Sequence, residues 1–229
     1  PKYLKKGAWD SDGRREIYNK AALTEEKISD LVDLSDKYNC DFLISVFGTK
    51  GAHLMHEMQL SEIKIPSHET TNHKLLEFCS NNFSKIYFSA GASTEKEVLK
   101  AVEILNAGSA SYNLMHCVSS YPCPNNQINL PRLEWLSSLS KDIGFSDHTR
   151  STTIPALSLA YGVTAIEKHF TLDRKDGGID SQFSLIPSEL ESLALEAKRG
   201  WQALGGVQYG CTESENSSKN YRRSVYTTN

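Results

Sequence analysis

Residues 143–149 read Ile-Gly-Phe-Ser-Asp-His-Thr, an apolar run followed at once by Ser146, Asp147 and His148. The run is short and apolar enough to be a buried strand. A buried strand that ends in a polar cluster either meets solvent there or contributes to a binding site. The pattern therefore gains meaning if other strands of the chain end in the same way.

Five further apolar runs lie at 42–46, 63–65, 86–88, 112–115 and 164–166. Segments with helical spacing of apolar residues alternate with them, at 24–38, 50–59, 73–80, 94–105, 130–139, 153–161 and 188–204. Strands that alternate with helices predict a parallel sheet covered on its faces. Six strands suit an open doubly wound sheet, but they also suit part of a (β/α)₈ barrel. The pattern alone leaves both folds open.

Three of the helices carry recognisable start signals. Thr24 is the predicted N-cap of the first helix, and Ser93 is the predicted N-cap of the helix over 94–105. Pro187-Ser188 followed by Glu191 predicts a capping box at the start of the last helix.

Composition narrows the class of protein. The formal charge of -3, without a Lys/Arg run interleaved with aromatic residues, argues against a nucleic-acid partner. No apolar stretch approaches the roughly 20 residues that span a membrane, so no membrane partner is expected. The five cysteines show no CxxC pair, which predicts free thiols and a cytoplasmic location; Cys117 is expected to be a buried structural thiol. The chain begins at Pro1 and both ends are polar, which indicates truncation at each end.

Five of the six predicted strands end in polar side chains. The clusters are Ser67-His68-Glu69, Ser89, His116 to Tyr121, Ser146 to His148, and Lys168-His169. In parallel α/β folds, ligands bind beyond the carboxyl ends of the strands. We therefore expect a binding site there.

His148 and His169 end consecutive strands, which would lie about 4.8 Å apart if paired. Alternation places His148 on the same face as Ser146, with Asp147 opposite, and His169 on the same face as Glu167. Two imidazoles that close can hold one divalent metal ion, with water or substrate in the other positions. Each histidine could instead be a hydrogen-bonded strand end, but their joint position beside several serines favours the metal site.

The serine hydroxyls predict a second feature of the site. Ser67, Ser89 and Ser146 could together hydrogen-bond an oxyanion such as phosphate or carboxylate. Hydroxyls do not neutralise charge, so a lysine or arginine is also expected. Lys64 is the candidate, although strand parity places it opposite Ser67.

Several segments resemble the sialic acid synthase (N-acetylneuraminate synthase) family. They are GFSDHT (144–149), AIEKHFTLDR (165–174) and GGIDSQFSL (177–185), supported in family order by KIPSHE (64–69), FSAGAS (88–93), HCVSSYPCP (116–124) and YRRSVY (221–226). Members of that family are transferases that condense phosphoenolpyruvate with an N-acylated mannosamine-type sugar and release phosphate. The reaction serves the synthesis of cell-surface polysaccharides.

The resemblance implies a (β/α)₈ TIM barrel whose first two βα units are missing from this chain. Residues 1–204 would form this barrel domain, incomplete at its N-terminus. Residues 205–229 would form a linker and the start of a truncated antifreeze-like (SAF) domain. The full-length protein would be a homodimer.

The resemblance also implies a role for each site residue. His148 and His169 would be catalytic metal ligands, for Mn²⁺ or alternatively Mg²⁺ or Co²⁺, and Glu69 would be catalytic. Phosphoenolpyruvate would be bound by Lys64, Ser67, Ser89, Ser119 and Ser146. The amino sugar would be contacted by Glu69, Tyr121 and Asp180.

Two other functions remain open at this point. The chain could be a truncated, non-catalytic barrel remnant that binds metal or sugar. It could also be a metal-dependent sugar-acid aldolase on a similar barrel.

Overall fold

The computed structural model describes residues 22–178 and 180–222. The chain divides into two compact units, residues 1–45 and 46–229. In the described part of the first unit, helix α1 spans Glu25–Lys37. It begins after Thr24, whose Oγ1 accepts a hydrogen bond from the Lys27 amide at 3.3 Å, as predicted.

The second unit contains a parallel sheet. Its described residues form five strands, β1 Glu62–Ile65, β2 Lys85–Ser89, β3 Ser111–Cys117, β4 Ile143–Asp147 and β5 Ala165–Lys168. The order in the sheet is β1-β2-β3-β4-β5, and every neighbouring pair is parallel. A doubly wound sheet reverses its strand order at a switch point, whereas a barrel adds each strand to the same side of the last. The observed order is that of a barrel.

Helices connect the strands. They are α2 Gly48–Glu57, α3 His73–Asn82, α4 Glu95–Ala107, α5 Arg132–Leu139, α6 Thr153–Ser158 and α7 Pro187–Leu204. Each predicted helix is therefore present within a few residues of its expected bounds. The predicted strands are confirmed as well, except the one at 42–46.

The sheet is strongly curled. Lys64 on β1 forms an ion pair with Glu167 on β5, four strands away. In a flat sheet those strands would lie about 19 Å apart, at about 4.8 Å per step. A lysine and a glutamate side chain cannot jointly reach that far. The sheet therefore bends into a half-barrel with a concave face and a convex face.

The register assigns side chains to these two faces. On the concave face, Cys117, Ser146 and Glu167 are neighbours across β3, β4 and β5. The convex face carries the apolar core, which the helices cover. Its fully buried members include Ile63, Ile65, Ile86, Phe88, Leu114 and Phe145. Burying each such side chain contributes about 1.5–3 kcal/mol to folding.

In place of the predicted strand at 42–46, the structure has a single bridge residue, Ser45. Val46 donates one backbone hydrogen bond to the Lys64 carbonyl at 2.9 Å, and no regular strand forms there in the described residues. A strand needs a ladder of such bonds. Within the run, Leu43 is 41% exposed, whereas Val46 is buried.

Two predicted helix caps are also wrong by a short shift. The N-cap of α4 is Thr94, which has extended backbone and forms a capping box with Glu97; Ser93 instead donates its hydroxyl to the Gly91 carbonyl. At α7, Glu189 rather than Glu191 accepts the Ile186 amide, at 3.0 Å. Helix periodicity locates a helix start only to within a turn, because the neighbouring polar residues offer alternative caps.

Beyond β5 the structure adds a feature that was not predicted. Phe170 and Leu185 form a parallel bridge, in which the Leu185 amide donates to the His169 carbonyl at 2.8 Å. This bridge brings the segment after Asp180 back beside the end of β5.

Helix α7 ends at Leu204, and residues 205–222 are exposed, with short 3₁₀ turns at Glu213–Glu215 and Ser217–Tyr221. The boundary at 204/205 stays a prediction. The predicted start of the antifreeze-like domain extends over 223–229, outside the described residues. None of the helices in the described ranges has the length and apolar character needed to span a membrane.

Candidate active site

The carboxyl ends of β1, β2 and β3 converge on Gly91. The Gly91 amide donates to Ser67 Oγ at 2.9 Å. A Cβ atom built on Gly91 would lie 2.8 Å from Ser67 Oγ and 2.9 Å from both Ser119 Oγ and the Cys117 carbonyl oxygen. The position therefore requires glycine, and it gathers hydroxyls and an amide into one small pocket.

Lys64 lies in the same site as Ser67, against the parity argument. Strand β1 ends at Ile65, and after Pro66 the chain turns into the 3₁₀ helix Ser67–Glu69. Alternation no longer applies beyond the strand end, so both side chains can face the lumen. Lys64 is thus on the concave face, and its role in anion binding stays a prediction.

The Lys64 ammonium is buried, with its side chain 6% exposed, and it pairs with Glu167. Glu167 also accepts the Ser146 hydroxyl at 3.1 Å. A charge pair in a partly desolvated site interacts more strongly than one in water. The concave face therefore holds one cation and one anion among several hydroxyls.

Cys117 lies between the anion pocket and the histidines. Its Sγ is 4.0 Å from Ser119 Oγ and 3.9 Å from His148 Nδ1. Burial raises the pKa of this thiol, although the Ser67 hydroxyl and Lys64 oppose that shift. The thiol is therefore protonated at neutral pH, in keeping with the expected inert role.

His148 is held in one tautomer. Its Nδ1 lies 2.8 Å from the Val118 carbonyl, which can only accept, so Nδ1 carries the proton and Nε2 keeps a free lone pair. Burial lowers the pKa of His148, so the ring is neutral at pH 7. A neutral imidazole whose other nitrogen is hydrogen-bonded is the form that binds metal ions.

His169 has a similar environment. Its Nδ1 lies 3.4 Å from Asp180 Oδ2, and its ring centroid is 5.2 Å from that of His148. Burial first, and then His148, lower the pKa of His169, so this ring is also neutral. Two neutral imidazoles thus lie side by side at the ends of β4 and β5.

This donor pair fits a divalent ion. Two imidazoles that each bind one ion at about 2.1 Å have ring centroids roughly 5 Å apart, which matches the observed spacing. Within residues 22–178 and 180–222, no group of three or more His, Cys, Asp or Glu side chains could hold a metal ion. His148 and His169 would thus be the protein ligands from the described residues, with water or substrate oxygens completing the shell.

Two aromatic rings, those of Tyr121 and Phe183, pack against the histidine pair. The Tyr121 ring lies 4.2 Å from the His148 ring and 6.0 Å from the His169 ring, and the Phe183 ring lies 5.0 Å from that of His169. Tyr121 is 48% exposed, and burial raises its pKa to about 12. Its hydroxyl therefore stays protonated and can donate to a ligand.

Two predicted residues stand somewhat apart. Ser89 is lumen-facing by register and buried, and its Oγ has no hydrogen-bond partner among the described residues. Glu69 is held by its neighbour Asn72, which donates to Glu69 Oε2 at 2.6 Å. The structure shows no direct contact between Glu69 and the histidine pair.

Sequence reasoning missed Glu167, Gly91 and Phe183 as members of the site. For Glu167 the signal existed, because strand alternation already placed it on the face of His169. Gly91 and Phe183 lie inside the family-like segments 88–93 and 177–185, but strand alternation assigns them no place, since both lie beyond the strands and their contacts join distant segments.

Fold and site together define an α/β protein with a curled parallel sheet that gathers a lysine, several hydroxyls and two neutral imidazoles at the carboxyl ends of its strands. The chain belongs to the NeuB family, whose model matches residues 1–209. The resemblance to sialic acid synthases is thereby confirmed.

Known relatives of similar sequence are synthases of sugar acids. The chain is 33% identical over 225 residues to the N,N'-diacetyllegionaminic acid synthase of Campylobacter jejuni, covering 96% of this chain and 67% of that protein. It is 29% identical to the pseudaminic acid synthase of Helicobacter pylori, covering 86% of this chain and 58% of that protein. The chain spans 67%, 57% and 62% of the length of the first three curated relatives that it matches.

Among solved structures, the N-acetylneuraminic acid synthetase of Leptospira borgpetersenii in complex with citrate superposes with a TM-score of 0.84 at 30% identity. That match covers 93% of this chain and 77% of that chain. A DAHP synthase of Thermotoga maritima has a TM-score of 0.71 at 18% identity over 80% of this chain and 57% of that chain, which shows a shared fold only.

Proposed function

We propose that this chain carries the barrel domain of a nonulosonic acid synthase. The enzyme would condense phosphoenolpyruvate with an N-acyl hexosamine of the N-acetylmannosamine type and release phosphate. The observation that carries the proposal is the placement of Lys64 and its surrounding hydroxyls directly beside the neutral pair His148 and His169. The names of the relatives, which are sugar-acid synthases, support the same class. On this proposal the fold is an eight-stranded barrel: its first two βα units lie outside this chain, the segment at 42–46 takes the place of the third strand, and β1 to β5 are the fourth to the eighth.

Phosphoenolpyruvate needs a site for two anionic groups. The Lys64 ammonium supplies positive charge, the hydroxyls of Ser67 and Ser119 lie around Gly91, and the Ser146 hydroxyl lies against Glu167, the partner of Lys64. The Ser89 hydroxyl, buried without a partner among the described residues, is a further donor for this ligand. A bound oxyanion would share Lys64 with Glu167, its present partner.

The sugar would lie on the other side of the lumen, against the histidine pair. A divalent ion held by His148 and His169, Mn²⁺ or alternatively Mg²⁺ or Co²⁺, would act as a Lewis acid on the aldehyde of the open-chain sugar. Tyr121 and Asp180 lie against the same rings and would orient the sugar. Glu69 would contact the sugar from the 3₁₀ turn after β1.

The chemistry then follows from orientation. Carbon 3 of phosphoenolpyruvate attacks the aldehyde carbon, which forms the new carbon–carbon bond. Water adds at carbon 2, and phosphate leaves with cleavage of its carbon–oxygen bond. Holding both substrates in line can supply roughly 7–11 kcal/mol of the barrier. Fixed donors around the developing charge add electrostatic stabilisation.

We further propose that the full-length protein is a homodimer that works in the cytoplasm. The five cysteines are unpaired within the described residues, which suits a reducing compartment.

A substrate panel tests the proposal. Full-length protein with Mn²⁺ and phosphoenolpyruvate is incubated with N-acyl hexosamines, while phosphate release and product mass are measured. With ¹⁸O in the bridging position of phosphoenolpyruvate, the label should appear in the released phosphate. Absence of phosphate release with every sugar would refute the proposal. Metal-dependent cleavage of a sugar acid to pyruvate, without phosphate chemistry, would instead establish an aldolase.

A further inference from the structure

We propose that Asp147 and Lys168 are positioning residues, whose buried ion pair sets the spacing of His148 and His169 before any metal ion binds. This inference rests on the proposed function, in which those two histidines are the metal ligands. Neither charged side chain faces the lumen, so neither touches the ligand itself.

The ion pair lies directly behind the two histidines. Asp147 and Lys168 are partners in the register of β4 and β5, and each immediately precedes one of the histidines. Lys168 Nζ donates to Asp147 Oδ2 at 2.9 Å, and the side chains are 4% and 0% exposed for Lys168 and Asp147. The pair therefore ties the two strand ends together at the last residue before the site.

Thr149 extends the tie to the other side of His148. Asp147 accepts the Thr149 amide and the Thr149 hydroxyl, each at 2.9 Å. Lys168 Nζ also donates to the Thr149 carbonyl at 2.5 Å. The backbone on both sides of His148 is thus anchored to β5, and its ring is left to meet the Val118 carbonyl.

Stability alone does not account for this arrangement. Replacing a buried ion pair with apolar side chains of similar volume is often neutral or stabilising, because the charges lose their hydration when buried. The pair instead fixes the position of His148, because its hydrogen bonds join Asp147, Thr149 and Lys168, which lie on either side of that histidine and on the neighbouring strand. A preorganised histidine pair binds a metal ion without first paying to order its ligands.

The double variant Asp147→Leu/Lys168→Met separates positioning from stability. We expect it to fold with a lower melting temperature, because both charges are removed together but the buried Thr149 amide and hydroxyl lose their acceptor. We expect its affinity for Mn²⁺, measured from the electron paramagnetic resonance signal of free Mn²⁺, to fall tenfold or more. The control is Phe145→Leu, on the same strand and the same convex face. It should lower the melting temperature and leave the Mn²⁺ affinity within twofold of the wild type.

A second variant covers the case in which the double variant does not fold. Thr149→Val keeps both charges and removes the hydroxyl bond to Asp147, and it should weaken Mn²⁺ binding threefold or more. Wild-type affinity in Asp147→Leu/Lys168→Met or, if that variant is unfolded, in Thr149→Val would overturn the inference. A wild-type protein that binds no Mn²⁺ would overturn it together with the metal of the proposed function. A wild-type protein that binds Mn²⁺ but condenses no sugar would sink only the proposed reaction.

Discussion

Gly91 is the residue of the candidate anion site at which a side chain would clash with its neighbours. Its missing side chain allows Ser67, Ser119 and the Cys117 carbonyl to approach the same point. We expect Gly91→Ala to displace Ser67 and to raise the KM for phosphoenolpyruvate about tenfold, the effect of losing one hydrogen bond of about 1.4 kcal/mol. Steady-state kinetics on the full-length protein measure this.

The matched control is Gly51→Ala in the middle of α2. A Cβ there would meet nothing nearer than Val46 Cβ at 4.0 Å. Alanine should stabilise the helix by up to about 1 kcal/mol and leave the KM unchanged. An unchanged KM in Gly91→Ala would show that the pocket does not hold the substrate anion.

Lys64 supplies the buried positive charge of the site. We expect Lys64→Met to raise the KM for phosphoenolpyruvate roughly 10–100-fold, because a hydrogen bond to a charged group contributes about 1.5–3 kcal/mol. The control is Lys100→Met, which removes an exposed lysine on α4 that pairs with Glu103.

A double variant tests whether Lys64 acts only through its ion pair with Glu167. Lys64→Met leaves that carboxylate without its partner, so adding Glu167→Gln should recover about 1 kcal/mol of stability in urea unfolding. The double variant should not recover the KM. Recovery of the KM instead would mean that Lys64 only balances Glu167.

Most of the site was predictable from the sequence because strand alternation carries the information. Ser146 and His148 were placed on one face; the register puts Ser146 on the concave face, and His148, just beyond the strand end, lies 3.9 Å from Cys117 Sγ on the same face. Alternation failed for Lys64, which it placed opposite Ser67, because the strand ends between these two residues. Contacts such as that between Phe183 and His169 depend on how the chain returns after β5, which no local pattern encodes.

Secondary-structure elements were predictable where periodicity and burial agree. The apolar run at 42–46 resembles the other strands in composition, and its last residue, Val46, is buried, but it lacks their ladder of hydrogen bonds. Apolar composition therefore predicts where a segment packs against the sheet more securely than it predicts a regular strand. Helix caps failed for a different reason, because Ser93 and Thr94 are both good cap residues and only the backbone geometry selects between them.

Substitutions at the N-terminus of α4 measure which residue, Ser93 or Thr94, caps the helix. Thr94 accepts the Glu97 amide, and Glu97 in return accepts the Thr94 amide at 2.7 Å. We expect Thr94→Ala to lower the free energy of unfolding by about 1 kcal/mol, as removal of an N-cap does. Ser93→Ala should cost less than about half of that, since its hydroxyl bonds only the Gly91 carbonyl. Equal losses in urea unfolding would contradict the assignment.

The curl of the sheet could not be predicted from the spacing of strands and helices along the sequence. Alternating strands and helices fit an open sheet and a barrel equally well, because the pattern does not say to which edge each strand is added. The observed order and the ion pair between the first and fifth strands settle that question. Strand polarity alone, however, predicted a site at the carboxyl ends, where the structure brings Ser146, His148 and His169 together.

Folding of the second unit is coupled to pH through the buried His116. Its ring is 1% exposed, stacks on Phe145 at 5.6 Å, and donates from Nε2 to the Ile128 carbonyl at 2.6 Å. Burial is the main cause that lowers the pKa of His116; Arg132 lowers it further, while the Ile128 bond and Asp147 oppose the shift.

Below a pH of about 6.5 the unfolded chain therefore binds a proton at His116 that the folded chain does not. Stability from this group is complete above that pH, and it is lost as the pH falls, by at most about 1.4 kcal/mol per pH unit. His148 and His169 are shifted in the same direction and add to the loss. We expect His116→Gln, which keeps a donor but does not titrate, to flatten the decline between pH 7 and pH 5. Urea unfolding at pH 5, 6, 7 and 8 measures both slopes, and equal slopes would show that His116 is protonated in the folded protein as readily as in the unfolded chain.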